Sequence, residues 1–226
     1  METNRDDQEL AMRQRLVQAA VALYNEDPAA CTLSRAAAKA GVDTQAARRL
    51  YRTRGALLKG YYDLCLLRYR AMLEEIDGYA DFDLAEKLST FVYSLFDLFE
   101  EERDFIEATF EEWICRSPSK SRFQRGVEEL MAEHLQDTEL TGGIAAMLPP
   151  LMSRHYLRLV RHWLHDESPD AEETLALADK AIAFGAEALQ SRLWTNGADL
   201  ARYLLGRALP GGAWEAWADR FGGGRR

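Results

Sequence analysis

Apolar residues recur at helical spacing along almost the whole chain. Met12, Leu16, Ala19, Ala20 and Leu23 fall on one face of a helix predicted to begin near residue 9. Residues 1 to about 8 are polar and expected to fray. Asp27-Pro28 ends the helix, because a residue before proline avoids helical dihedrals. Thr32 then serves as an N-cap for a short alanine-rich helix, which stops at Gly41, a residue that tolerates a left-handed cap. Asp43 or Thr44 recaps the chain for a second short helix carrying Gln45, Arg48 and Arg49. After Tyr51, Thr53 caps a longer helix running to about Asp77, with Leu57, Leu58, Tyr61, Leu64, Cys65, Met72 and Ile76 as its apolar stripe.

Beyond Gly78 and Asp81 the pattern stays helical, with no period-two alternation anywhere. Leu84, Leu88, Phe91, Val92, Leu95 and Phe99 mark one helix; Phe105, Ile106, Phe110, Trp113 and Ile114 mark the next, after the acidic run Glu100-Glu101-Glu102. Ser117-Pro118 reads as a capped restart leading to Phe123, Val127, Leu130, Met131 and Leu135. The turn Thr141-Gly142-Gly143 and the pair Pro149-Pro150 place the start of the following helix near Leu151, with its end near His165. Ser168-Pro169-Asp170, with Glu172 and Glu173, opens another, in which Ala176, Ala178, Ala181, Ala183, Gly185, Ala186 and Ala188 would let a second helix approach closely. Two short helices, around 196–208 and 211–220, and a flexible GGGRR end complete the chain. The fold class is all-α.

A helix, a glycine turn and a second helix with exposed Gln and Arg form the helix-turn-helix pattern, whose second helix lies in the DNA major groove. The flanking residues narrow this further. A Thr-capped helix at Thr32, Ala40-Gly41-Val42-Asp43, the segment Thr44 to Leu50, Tyr51 and Thr53-Arg54 resemble the DNA-binding head of the TetR family of transcriptional repressors. The preceding helix, with its aromatic Tyr24, extends the resemblance over residues 10 to 62. Arg48 stands where the family usually has a tyrosine, and Arg54 where it has a lysine; both departures keep cationic character.

That resemblance implies a helix-turn-helix DNA-binding domain over residues 1–54 and a helical effector-binding and dimerisation domain over residues 55–226. It also implies that the long helix after Thr53 is a lever between effector and DNA head. Gln45 with Arg48 or Arg49 would reach base edges, and Thr44, Arg52, Thr53 and Arg54 would hold phosphates, with Arg35 as a further DNA-binding candidate. A dimer, paired through residues 151–165 and 170–192, would read a pseudo-palindromic operator in double-stranded DNA. Phe91, Phe96, Phe110, Trp113 and Tyr156 are candidates to line a small-molecule pocket, whose occupant would release the protein from DNA. A rival reading is a TetR-fold lipid or metabolite carrier that no longer reads DNA.

A net charge of −9 at first opposes nucleic-acid binding. Its distribution changes the picture: residues 1–60 hold ten Lys and Arg against seven Asp and Glu, a net of +3, leaving −12 for the remainder. Three cysteines without C-x-x-C spacing predict reduced thiols and no zinc site. Neither a signal-peptide core nor a membrane span is evident, so the expected location is cytoplasmic. His162 and His165 share a helical face, but no H-E-x-x-H accompanies them, nor is there a G-x-S-x-G, Walker or G-x-G-x-x-G motif. No enzyme activity, catalytic residue, metal or cofactor is predicted.

Overall fold

The computed structural model describes residues 2–116, 119–138, 140 and 142–190. The helices anticipated around 196–208 and 211–220, the GGGRR end, and Ser117, Pro118 and Thr141 lie outside the described residues. Every regular element described is helical, as the periodicity predicts: α1 (Glu2–Glu26), α2 (Leu33–Lys39), α3 (Thr44–Leu50), α4 (Arg54–Glu75), α5 (Leu84–Glu100), α6 (Arg103–Phe110), α7 (Arg122–His134), α8 (Gly142–Leu164) and α9 (Glu172–Gln190). None is long and apolar enough to cross a membrane.

Several boundaries differ from expectation, each for a local reason. Helix α1 starts at Glu2 rather than near residue 9, with an acid at its first position, where the helix dipole favours one. Helix α7 begins at Arg122, and Ser121 caps it, its hydroxyl accepting the Gln124 amide at 3.0 Å. Helix α8 begins at Gly142 and runs through Pro149 and Pro150 instead of starting near Leu151. Proline fixes a φ that suits a helix, and its cost is the lost donor to the carbonyl four residues back, here Ala145 and Ala146. Met72, assigned to the buried stripe of α4, is exposed.

The chain divides into two compact units, one formed by Met1–Asp77 with Tyr93–Gly126, the other by Gly78–Val92 with Val127–Arg226. In the first, α4 is the central strut. It buries Leu57, Leu58, Gly60, Tyr61, Tyr62, Leu64, Cys65, Leu66 and Tyr69. The fully buried Tyr62 ring lies 5.6 to 6.2 Å from those of Phe99, Phe105, Phe110 and Phe123. Its hydroxyl lies 2.7 Å from that of Thr109, which itself donates to the Phe105 carbonyl; Tyr62 is therefore the donor. Burial pushes the Cys65 thiol up to about 12.

Helix α6 continues into a π-helical turn, Glu111–Cys115, which sets Trp113 edge-on to Tyr24 and Phe105. Tyr24 and Asn25 tie α1 to α6: the Tyr24 ring is 5.3 Å from Phe105, and the Asn25 amide donates to Glu102 at 2.9 Å.

The second unit packs Leu84, Leu88 and Phe91 of α5, Leu130 and Met131 of α7, Tyr156, Leu157, Val160 and Trp163 of α8, and Ala178, Ile182 and Ala186 of α9. The α8–α9 turn is organised by Asp166, whose carboxylate accepts the amide and hydroxyl of both Ser168 and Thr174. These bonds hold Asp166 well below the usual carboxylate range. Because the Thr174 hydroxyl donates to Asp166, it accepts from His162 Nδ1 at 2.7 Å.

Candidate nucleic-acid interface

A seven-residue helix is not stable alone, so α3 depends on what holds its ends. Helix α2 is capped by the Thr32 hydroxyl, which accepts the Arg35 amide at 3.2 Å. It closes with paired bonds from the Gly41 amide to Ala38 and the Val42 amide to Ala37, at 3.2 and 2.9 Å. That geometry requires the left-handed φ of +64° at Gly41, which glycine adopts without a Cβ clash. Asp43 settles the choice of cap for α3, accepting the amides of Gln45 and Ala46 at 3.0 Å each. Inward, α3 is anchored by Ala47 and by its flanks Val42 and Tyr51, all buried.

The outward side of α3 carries Gln45, Arg48 and Arg49, all exposed, with Thr44 half-buried beside them. Among the described residues, the side chains of Gln45, Arg48, Arg49 and Arg52 have no hydrogen-bond or ion-pair partner. Thr53 is exposed and its hydroxyl caps α4 through the Ala56 amide at 3.0 Å. The first amides of α4 therefore open beside Arg52, at the positive end of the helix.

Two of the cationic candidates are tied down. Arg35 donates to the Ala30 carbonyl at 3.1 Å. Arg54 is held between the Pro28 carbonyl and the face of Tyr24, 5.7 Å from the ring centroid. Arg54 therefore braces the end of α1 against the start of α4.

Tyr51 has a brace of its own, which no sequence motif announced. Its ring carries the Arg13 guanidinium at 5.9 Å, and Arg13 is held from the other side by Glu9 at 2.7 Å. The Glu9 hydrogen bond raises Arg13 above its ordinary value, while burial raises the Tyr51 phenol. Further along α4, Asp63 lies 3.5 Å from Arg122, and burial raises its carboxyl more than Arg122 lowers it.

The five aromatic pocket candidates divide between the two units. Phe91 and Tyr156 meet in the second unit, with ring centroids 4.8 Å apart. Phe96, Phe110 and Trp113 belong to the first unit, where Phe110 packs on Tyr62 and Phe99, and Trp113 is half-buried beside Tyr24. The second unit also contains a cleft of about 620 Å³ between the start of α5 and the end of α7. Lys87, His134 and Asp137 border it. These residues come from two separate stretches with no motif, so periodicity could not have joined them. His165, like His162, has a partner for its Nδ1, the Arg161 carbonyl at 2.7 Å.

Residues 87–204, just over half of the chain, match a family model described as the tetracyclin repressor-like C-terminal domain. No curated protein matches the chain. The matched stretch lies entirely outside residues 10 to 62, so head and body point separately to the same relationship. The chain belongs to the TetR family of regulators.

Proposed function

We propose that the protein is a transcriptional repressor, binding a pseudo-palindromic operator as a homodimer and released by a small-molecule effector. The observation that carries DNA binding is the condition of α3. Several arginines elsewhere in the first unit find carboxylates: Arg13 with Glu9, Arg68 with Glu101, Arg103 with Glu100. Arg48, Arg49 and Arg52 do not, although they lie within five residues on a capped, anchored segment. Three unneutralised guanidiniums so close together favour a polyanion. In this reading Gln45 and Arg48 or Arg49 contact base edges, with guanine suiting Arg and adenine suiting Gln. Thr44, Arg52 and Thr53 contact phosphate, with the amides at the start of α4 beside them; Arg35 and Arg54 help hold that geometry. Residues 1–54 act as the reading head and residues 55–226 as the regulatory body.

Dimerisation through residues 151–165 and 170–192 is supported by apolar side chains left in solvent there. Phe184 is 75% exposed, Leu177 46% and Leu151 42%, and Met147, just before this segment, 64%. Leu177, Ala181, Phe184 and Ala188 follow one another along one face of α9, a stripe suited to a second copy. The effector is proposed to bind in the second unit, where Phe91 and Tyr156 pack together. Selection of bound duplexes from a random pool tests the reading. The expected product is an inverted repeat whose half-sites lie about one helical turn apart; recovery of no motif, or of an unrepeated one, would sink it.

A further inference from the structure

The cleft in the second unit has an electrostatic imbalance that points to a ligand class. The Lys87 side chain is only 12% exposed, and its ammonium meets Asp137 at 3.0 Å. Asp137 is 79% exposed. A nearly buried cation is thus neutralised by a carboxylate standing in water, which screens the pair and makes the partner easy to displace.

Lys87 also sits in the first turn of α5, where the helix dipole disfavours positive charge. Asp83, which also lines the cleft, and Glu86 form no ion pair with Lys87; each accepts the other's backbone amide. The Glu86 amide donates to Asp83 at 2.8 Å, and the Asp83 amide donates to Glu86 at 2.7 Å. His134, 5% exposed in the last turn of α7, brings an imidazole to the same cleft. Phe82 and Leu84 supply apolar wall, and about 620 Å³ lies within the range of small-molecule sites.

We propose that this cleft binds a small monocarboxylate with an aliphatic or aromatic body, its carboxylate replacing Asp137 on the Lys87 ammonium. The apolar body lies against Phe82 and Leu84. A neutral alcohol of the same shape gains only the apolar contact, and an amine meets Lys87 as a like charge. The binding stands by itself; its role as the release signal rests on the effector reading above.

Calorimetric titration of the full chain with octanoate, 1-octanol and octylamine near neutral pH tests it. Octanoate is expected to bind about tenfold or more tighter than octanol, and octylamine not at all. Lys87→Met should bring octanoate down to the octanol affinity while leaving octanol binding unchanged, which also shows that the cleft is intact. Asp137→Asn should tighten octanoate several-fold, since no carboxylate then has to be displaced. Equal binding of octanoate and octanol, a preference that survives Lys87→Met, or no octanoate binding at millimolar concentration would each overturn the proposal. Octanoate that binds as expected yet leaves DNA affinity unchanged would uphold the site and remove the effector reading.

Discussion

Tyr51 lies against Gly60: a Cβ added at Gly60 would stand 2.9 Å from the Tyr51 hydroxyl oxygen and 3.1 Å from Val17. Tyr51, which closes α3, is thus packed into a groove between α1 and α4 that only a missing side chain leaves open. Gly60→Ala should cost about 1–3 kcal/mol despite alanine's better helix propensity, because the added methyl would crowd both the buried Tyr51 ring and buried Val17. Urea denaturation would show it as a lower midpoint, and a midpoint equal to or above wild type would contradict this packing.

Gly41 fails in a different way. Nothing lies within 4 Å of a Cβ there, so the penalty comes from its φ of +64° alone. Gly41→Ala is expected to cost about 1–2 kcal/mol, and Gly41→Asn less, since asparagine tolerates the left-handed region. Equal loss from both substitutions in the same denaturation series would argue for crowding instead.

The Tyr62–Thr109 hydrogen bond is buried and its direction is set, with Tyr62 donating. Tyr62→Phe keeps the ring cluster and removes one bond, a loss of about 1 kcal/mol. A much larger drop in thermal midpoint would mean that ring packing changed as well.

Asp166 gives a pH dependence with a definite sign. Its folded-state carboxyl lies below the ordinary value through the Ser168 and Thr174 hydrogen bonds. It therefore stabilises the fold above the unfolded Asp range, about 3.9, and that contribution is lost progressively as pH falls below it. Wild type should be more stable than Asp166→Asn at neutral pH, with the gap closing in acid. A gap that persists unchanged to low pH would show that charge is not its source.

Phe184 is exposed in the single chain, so Phe184→Glu should leave helicity unchanged. Sedimentation should nevertheless show wild type as a dimer and the variant as a monomer. A variant that still sediments as a dimer would move the pairing away from this face of α9.

What could be read from the sequence was what short stretches decide. Thr32, Gly41 and Thr53 mark their boundaries through bonds that span three or four residues, and all three appear as expected. Readings failed where neighbours far along the chain compete. Pro149 and Pro150 suggested a break, yet the helix continues through them. Spacing alone also did not separate the α9 alanines into Ala178 and Ala186, buried within the chain, and Ala176, Ala181 and Ala183, exposed in it. Tyr62 was absent from the predicted stripe; the partner that lets its hydroxyl be buried, Thr109, stands 47 residues further along the chain. In the head, the exposure of Arg48 and Arg49 followed from helical spacing, whereas the tethering of Arg54 depends on Pro28 and Tyr24, 26 and 30 residues earlier.

The central claim is that α3 reads DNA. Fluorescence anisotropy of the protein titrated onto the duplex upstream of its own gene, at several salt concentrations and against a scrambled duplex, addresses it most directly. The account predicts selective binding with a steep salt slope, and loss of the selectivity on replacing Arg48 and Arg49 by alanine. Weak binding that is equal on both duplexes and indifferent to those two substitutions would contradict it.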